Sequence, residues 1–438
     1  MGKGQKLWKK AKKIIPGGNM LLSKRSELFL PDMWPSYFSK AKGCYVWDLD
    51  GNKFIDMSIM GIGTNTLGYG NDKVDSAVKN AVSQGNMSTF NCPEEVQLAE
   101  KLLDMHPWAD MARFARSGGE ANAIAIRIAR AASGKDNVAI CGYHGWHDWY
   151  LAGNLGNSED AKDLDTHILP GLEPKGVPSN LRGTIFPFDY NNFEMLESII
   201  KENSIGVVKM EVVRNNPPVN NFLQKVRDLT KKLGIILVFD ECTSGFRQAY
   251  GGIHKIFEVE PDMAIFGKAL GNGYAITSII GRREIMEHAQ STFISSTFWT
   301  ERIGPTAACK TLEVMDEEKS WDVITKIGTN IADKWNKLAN EHNLDITTCG
   351  IPAIATLIFN SKNNLAYKTL ISQEMLKKGF LASNLIFVCT EHKPEIIEKY
   401  FTELEPIFSK IKKCETGELN ILDLLDGPIC HSSFKRLN

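Results

Sequence analysis

The stretch from residue 235 to residue 273 constrains the fold most strongly, because two short apolar runs in it each lead to a reactive polar side chain. The first run, Ile235–Phe239, is followed by Asp240, and the second, Met263–Phe266, is followed closely by Lys268. Short runs rich in β-branched and aromatic residues are typical of buried strands. Ligands of an open α/β sheet bind at the carboxyl ends of its parallel strands. The pattern therefore predicts that Asp240 and Lys268 face one crevice.

An amine and a carboxylate in one crevice suit a particular cofactor. A lysine amine can form a Schiff base with an aldehyde, and a carboxylate can keep a pyridine nitrogen protonated. Pyridoxal 5′-phosphate makes use of both groups, so the pair indicates this cofactor. A structural salt bridge at a strand end would use the same two residue types, and the pair alone does not separate the two interpretations.

The composition sets the broad class of the chain. Its 438 residues are more than a single hydrophobic core holds, so two or more domains are expected. A net charge of −1 gives no indication of nucleic acid or an anionic membrane as a partner, so a small-molecule partner is expected. No run approaches the ~18 apolar residues that span a bilayer. The nine cysteines include no CxxC pair, which predicts free thiols and a cytoplasmic location.

A glycine-rich connection follows another predicted strand, Met111–Arg116. Ser117, Gly118 and Gly119 link it to a strongly helical stretch, Ala121–Ala132. A connection of this kind aims free backbone N–H groups at an anion, and the helix dipole adds to the attraction. An ordinary tight turn would have the same sequence, so both interpretations stand at this point.

A further predicted strand, Val138–Cys141, leads into a cluster of aromatic and histidine residues. Tyr143 in this cluster could stack on a flat ring. His144 and His147 have side chains that bind metals, but no carboxylate or cysteine cluster completes such a site. We therefore predict no metal site here.

Strands and helices alternate from residue 111 to residue 281, which predicts a mostly parallel, doubly wound sheet. From residue 311 the pattern changes to that of a smaller α+β unit. We predict a large domain over residues 66–310 and a small domain over 311–438, with residues 1–65 packing with the small domain. Residues 151–182 form a long polar loop of the kind that often gates a site.

Taken together, these motifs resemble the class III aminotransferases, which are pyridoxal-phosphate enzymes of fold type I, and most closely the glutamate-1-semialdehyde aminomutases among them. The resemblance runs from about residue 15 to about residue 400. The matching pieces are IPGG at 15–18, WDLDGN at 47–52, RSGGEA at 116–121, YHG at 143–145, VFDE and GFR within 238–247, and FGKALGNG at 266–273.

The resemblance implies a role for each cofactor contact. It implies that Lys268 forms the Schiff base and that Asp240 pairs with the pyridine nitrogen. The other contacts that it implies are Ser117, Gly118 and Gly119 around the phosphate, Tyr143 stacked on the ring, and Asn216 at the ring hydroxyl. In this family a threonine of the partner subunit also reaches the phosphate, and Thr300 or Thr297 matches it, with Thr300 favoured. The resemblance thus implies a homodimer with a shared active site.

The chain also departs from the family pattern. Gly119 stands where the family usually has a serine or threonine, so one phosphate hydroxyl is missing. Many class III transaminases use a C-terminal arginine to bind the substrate carboxylate, and here no arginine lies between Arg302 and Arg436. The aminomutases have a tryptophan near Ile62 and an arginine near residue 24. The substrate-contacting candidates that remain are Lys24, Arg25, Ile62, Glu211 and Arg302.

These departures favour a transaminase that moves an amino group between an amine or amino acid and a separate carbonyl acceptor. An intramolecular aminomutase is the alternative, because the segment LPGLEPKGVP at 169–178 resembles the gating loop of the mutases. A non-catalytic protein with the same fold is a third interpretation. It is disfavoured because a purely structural or binding role does not need the Schiff-base lysine.

Overall fold

The computed structural model describes residues 1–155, 173–213 and 215–432. The chain divides into two compact units. The first unit combines Met1–Asn71 with Asp322–Asn438, and the second comprises Asp72–Trp321. Part of the loop at 151–182, including the start of its LPGLEPKGVP segment, lies outside the described residues, so its predicted gating role stays a prediction.

The described residues form strands that we number in chain order. They are β1 (Phe38–Lys42), β2 (Tyr45–Asp48), β3 (Lys53–Met57), β4 (Met111–Ala115), β5 (Asn137–Cys141), β6 (Ile185–Pro187), β7 (Ile205–Glu211), β8 (Ile236–Glu241), β9 (Met263–Phe266), β10 (Thr277–Gly281), β11 (Ile346–Cys349), β12 (Ile354–Phe359), β13 (Phe380–Ala382) and β14 (Leu385–Phe387).

The helices are numbered in the same way. They are α1 (Lys3–Ile14), α2 (Met60–Gly63), α3 (Asp72–Gln84), α4 (Pro93–Asp104), α5 (Gly118–Ser133), α6 (Asp148–Leu151), α7 (Phe193–Glu202), α8 (Phe222–Leu233), α9 (Arg283–Met286), α10 (Ile303–Glu318), α11 (Ser320–Glu341), α12 (Asn364–Lys377) and α13 (Pro394–Glu415). None of the described helices is long and apolar enough to cross a bilayer.

The second unit is built on a seven-stranded sheet with the order β4-β10-β9-β8-β7-β5-β6. The five strands from β9 to β6 run parallel to one another, and β10 is antiparallel to both of its neighbours. Every residue of the central strands β7 and β8 is buried. Near-continuous apolar runs are expected where helices cover both faces of a parallel sheet. The predicted mostly parallel α/β sheet is therefore confirmed.

Helix α5 starts three residues before and ends one residue after the predicted helical stretch Ala121–Ala132. Ser117 is its N-cap and forms a capping box with Glu120, in which each side chain bonds to the backbone of the other residue. Gly134 ends the helix in the left-handed region, with φ +64. The buried face of the helix packs in the same apolar cluster as strands β5 and β8. The capping box thus fixes where the helix starts relative to the sheet.

In the first unit the two ends of the chain share one sheet, with the order β1-β2-β3-β13. Strands β2 and β3 form an antiparallel hairpin, and β13 pairs with β3 in parallel. A smaller sheet, β11-β12-β14, lies in the same unit. Trp335, Tyr367 and Tyr400 are among the largest side chains that are fully buried in its core.

Several short elements are not predicted by the sequence pattern, namely β1, β6, β11, β13 and α7. Most residues of β1 are exposed, and β6 and β13 have only three residues each. The strands among these elements are too short for their apolar periodicity to be recognised, and pairing with distant strands decides their conformation.

Candidate active site

The strand register brings the predicted reactive residues to one edge of the sheet. Glu211 of β7 pairs with Asp240 of β8, and Glu241 pairs with Phe266 at the end of β9. Lys268 follows two residues after β9. Because β7, β8 and β9 are parallel, their carboxyl ends lie side by side, which is where α/β sheets bind ligands.

Asp240 carries a buried carboxylate with several partners. Its Oδ2 accepts a hydrogen bond from His144 Nδ1 at 2.9 Å, and its Oδ1 accepts one from the Cys242 backbone N–H at 3.0 Å. The Lys209 Nζ lies 3.8 Å from the same Oδ2. Burial by itself would raise the pKa of Asp240. The Lys209 ammonium and the His144 hydrogen bond outweigh burial and hold the pKa of Asp240 well below its usual range.

His144 is buried beneath the strand ends and orients this carboxylate. Burial, followed by the nearby Lys209 ammonium, lowers the pKa of His144, and the hydrogen bond to Asp240 acts in the opposite direction. The Nε2 atom of the same ring lies 3.2 Å from the carbonyl oxygen of Cys141. Contacts on both ring nitrogens fix the position of the imidazole, and the imidazole in turn fixes Asp240.

Lys268 opens a short 3₁₀ turn that extends from Lys268 to Gly271. Its φ of +40 lies in the left-handed region, which side chains other than glycine rarely adopt. Strain of this kind persists where the surrounding structure holds it, often at functional sites. The Nζ donates a hydrogen bond to Thr243 Oγ1 at 2.7 Å. Burial lowers the pKa of Lys268, which enlarges the fraction of neutral, nucleophilic amine at a given pH.

Tyr143 is anchored by Glu211. Its backbone N–H donates to Glu211 Oε2 at 3.0 Å, and its ring packs edge-on against Tyr150 with 6.0 Å between centroids. Gly142, which precedes it, has φ +105, and a Cβ there would lie 2.5 Å from Glu211 Oε2. Glycine is therefore required where the chain turns from β5 toward the aromatic ring.

The start of α5 offers backbone N–H groups. Gly118 and Gly119 are its first two residues, and the first N–H groups of a helix have no acceptor within it. The Ser117 hydroxyl contributes less, because the capping box already engages it with Glu120. Any anion bound here would be held chiefly by backbone groups and the helix dipole.

Gly119 lies under two aromatic side chains. A Cβ at this position would lie 3.2 Å from His147 Nε2 and 3.2 Å from Trp146 Nε1. A serine or threonine at this position would therefore need these two rings to shift by a few tenths of an ångström.

The threonine segment lies against the start of α5. Thr297 and Thr300 bound a 3₁₀ turn, both are exposed, and the Thr300 hydroxyl donates to the Thr297 carbonyl at 2.9 Å. Arg116 holds the segment through an ion pair with Glu301 at 2.8 Å and a hydrogen bond to the Trp299 carbonyl at 2.9 Å.

The substrate candidates fall into different surroundings. Arg302 is paired with Glu94, with its Nε 3.0 Å from both carboxylate oxygens and its Nη2 2.7 Å from one of them. Lys24, Arg25 and Ile62 belong to the first unit. Lys24 is exposed, and Ile62 has a φ of +64, an outlier for a β-branched residue.

Three polar residues next to the reactive pair are not assigned to the cofactor site by the sequence pattern. His144 is considered there only as a metal ligand, and Lys209 and Thr243 have no predicted role. The sequence does indicate that Lys209 is unusual, because a lysine interrupts the apolar run of β7. Asn216, which the resemblance does assign, is exposed in the loop after β7.

Comparison with known proteins agrees with this geometry. The sequence profile described as aminotransferase class-III matches residues 31–384. The 3-aminobutyryl-CoA aminotransferase of Cloacimonas acidaminovorans is 30% identical over 430 residues, covering 94% of this chain and 98% of that protein. The glutamate-1-semialdehyde 2,1-aminomutase of Methanocaldococcus jannaschii is 30% identical over 439 residues, covering 94% and 99%. The FumI protein of Sphingopyxis sp. MTA144, solved with PLP, has a TM-score of 0.84 at 22% identity, covering 97% and 100%.

The fold is that of the fold type I pyridoxal-phosphate transferases. The chain belongs to the class III aminotransferase family and is a pyridoxal-phosphate-dependent enzyme of amino-group transfer. The described residues suit this cofactor. The pKa of Asp240 is held well below its usual range, the pKa of Lys268 is lowered, and the buried His147 Nε2, which has no hydrogen-bond partner among the described residues, lies beside Gly119 at the start of α5.

Replacing Gly142 by alanine tests whether this glycine and Glu211 together position Tyr143. Gly142→Ala should lower the melting temperature and weaken cofactor binding, because the new Cβ would collide with the Glu211 carboxylate. Gly85→Ala is the matched control, since Gly85 has a similar φ of +103 and an added methyl group there would meet nothing within 4 Å. Thermal melting and cofactor titration of both variants measure the effect. Equal effects of the two substitutions would show that the contact with Glu211 is irrelevant.

Proposed function

We propose that this chain is a transaminase with separate amino donor and carbonyl acceptor, and that Lys268 and Asp240 carry its chemistry. The observation that supports this most directly is the pair of strand ends that puts an amine of lowered pKa and an ionised carboxylate at one sheet edge. A structural salt bridge would join the two side chains. Here the Lys268 amine instead donates to Thr243, and Asp240 is bonded to His144 and Cys242.

When bound, the cofactor supplies an aldehyde that accepts an amino group and a protonated pyridine ring that withdraws electrons. In our proposal Lys268 provides the amine that holds the aldehyde carbon. Once released by an incoming amine, the neutral Lys268 Nζ is free to carry a proton as a general base. The low pKa of Asp240 keeps its carboxylate ionised and able to accept the ring N–H. Tyr143 covers one face of the ring.

The remaining contacts hold the cofactor in place. We assign the phosphate to the backbone N–H groups of Gly118 and Gly119 with Ser117 beside them, and the ring hydroxyl to Asn216. The capping box supports the phosphate assignment, because it fixes the orientation of the first turn of α5. Asn216 is exposed, so its contact with the ring hydroxyl is assigned from the family resemblance alone.

The similarity to known proteins does not distinguish a transaminase from a mutase, so the distinction depends on this chain's own residues. An aminotransferase and an aminomutase are each 30% identical to it. Arg302 is engaged by Glu94, which removes it as a ready ligand for a substrate carboxylate. Ile62 stands near the position of a mutase tryptophan, and polar specificity is lost steeply when one partner is missing. These features support a transaminase with a donor unlike glutamate semialdehyde, and the aminomutase is the second candidate.

A half-reaction separates the two candidates. With a suitable amine donor and no acceptor, the bound cofactor should convert fully to its amine form, pyridoxamine phosphate, and release a carbonyl product. A separate carbonyl compound should then restore the original absorbance, which gives ping-pong kinetics. Lys268→Ala should show neither step, whereas Lys135→Ala, a lysine that bonds to the Ile205 carbonyl at the start of β7, should show both.

Absorbance spectra of a panel of donors, with chromatographic detection of the carbonyl product, measure this outcome. Turnover of glutamate-1-semialdehyde to 5-aminolevulinate without a second substrate, with no donor converting the cofactor, would establish the mutase instead. Normal turnover by the Lys268→Ala variant would show that Lys268 does not have the proposed catalytic role.

We further propose that the enzyme is a homodimer in which Thr300 of one subunit reaches the phosphate of the other. Thr297 and Thr300 are exposed beside the start of α5. Large apolar side chains are exposed in the same unit, with Phe293 83%, Phe298 69% and Trp146 68% accessible. Large aromatic side chains that are exposed in a single chain are candidates for burial at a protein interface.

Mixing two inactive variants tests the sharing of the site. Lys268→Ala and Thr300→Ala homodimers should each be inactive or strongly impaired, and mixed dimers should regain about one intact site each. Thr297→Ala in place of Thr300→Ala is the matched comparison. Activity after subunit exchange, with exchange verified by differential tags, gives the result. If mixed dimers regain activity with Thr297→Ala but not with Thr300→Ala, Thr297 is the residue that reaches the phosphate of the other subunit.

A further inference from the structure

Lys209 is the most unusual side chain in the sheet. It lies in the middle of β7, a central strand in which all seven residues are buried, and it is 0% exposed. Burying an ammonium is costly unless an opposite charge or hydrogen bonds stabilise it. An apolar residue would fill this position without that cost, so the lysine calls for an explanation beyond packing.

Lys209 forms an ion pair with Asp240, with 3.8 Å between its Nζ and the carboxylate Oδ2. This separation is too long for a hydrogen bond, and the Nζ has no hydrogen-bond partner in the described part of the chain. Lys209 therefore stabilises the Asp240 carboxylate by charge alone, and the carboxylate lone pairs stay available for other hydrogen bonds.

The register explains how the two side chains meet. Asp240 pairs with Glu211, and Lys209 lies two residues before Glu211 on the same strand. Side chains alternate along a strand and agree across paired residues, so the three side chains share one face of the sheet. Lys209 approaches Asp240 from the interior, and the strand ends, where Lys268 follows β9, lie on the other side.

The charged and titratable groups around Lys209 come from three segments. Asp240 from β8 and Glu211 from its own strand are negative, and Cys242 adds a thiol after β8. His144, from the loop after β5, shares the Asp240 carboxylate. Burial lowers the pKa of Lys209, and these anionic neighbours, Asp240 foremost, oppose that effect.

We propose that Lys209 is a positioning residue for the cofactor: its buried ammonium, 3.8 Å from Asp240, is the counter-charge of that carboxylate and sets how strongly the carboxylate holds the proton of the ring nitrogen. This inference rests on the proposed function, in which Asp240 faces the ring nitrogen. Without Lys209, the same carboxylate would attract protons more strongly. Lys209 thus affects the protonation of the ring nitrogen through Asp240, without contacting the ring itself.

The first test uses the protein without cofactor and does not depend on the proposed function. Lys209→Met should lower the melting temperature, because it leaves the buried Asp240 carboxylate without its cation. The double variant Lys209→Met/Asp240→Asn should recover part of that loss, because both charges are gone. Strict additivity of the two single substitutions would overturn the pairing.

The second test reads the bound cofactor. The pH at which its visible absorbance changes should rise by about one unit in Lys209→Met, because a buried positive charge near the cofactor lowers the proton affinity of its nitrogens. Lys135→Met, a lysine at the other end of β7, should leave this pH unchanged. Lys209→Gln provides the same neutralisation if the methionine variant does not retain the cofactor.

The outcomes distinguish this inference from the proposed function. A normal absorbance midpoint in folded, yellow Lys209→Met or Lys209→Gln would overturn the role of Lys209 while leaving Lys268 and Asp240 in place. A wild-type protein whose cofactor is not attached to Lys268 would instead overturn the proposed function. Loss of cofactor from both Lys209 variants, together with additive melting temperatures, would assign Lys209 a packing role only.

Discussion

The buried charge of Asp240 is the interaction on which the rest of the site depends. A carboxylate that is 3% exposed would ordinarily take up a proton, because burial disfavours its ionised form. His144, Lys209 and the Cys242 N–H reverse that preference together. Each comes from a different segment, so the loop after β5 and the strands β7 and β8 must all be in register before the carboxylate is stabilised.

The same strand ends position the other groups. Glu211, the residue paired with Asp240, holds the backbone of Tyr143, and the turn that permits this contact needs glycine at position 142. Lys268 follows the next strand in a strained left-handed conformation and rests on Thr243. Because strands β7, β8 and β9 are parallel, residues that are far apart in the sequence lie side by side at one sheet edge. Asp240, Tyr143 and Lys268 are each held there by a hydrogen bond to a neighbouring side chain.

Much of this arrangement is predictable from the sequence, because it depends on local patterns. The run Met263–Phe266 is predicted with the bounds that the structure shows, and the predicted helical stretch Ala121–Ala132 lies within α5. The supporting contacts are not predictable in the same way. His144 and Asp240 are 96 residues apart, and nothing in either local pattern indicates that they meet. Lys209 falls within the buried strand β7, where a pattern of apolar residues indicates burial but not the partner of a buried charge.

The ring nitrogen of the bound cofactor reports most directly on whether Asp240 performs the role assigned to it. Loading the protein with cofactor labelled with nitrogen-15 in the ring, and recording its NMR chemical shift near neutral pH, shows whether this nitrogen carries a proton. The account predicts a protonated nitrogen in the wild-type protein and an unprotonated one in Asp240→Asn. An unprotonated nitrogen in the wild type, or a shift that Asp240→Asn leaves unchanged, would contradict it.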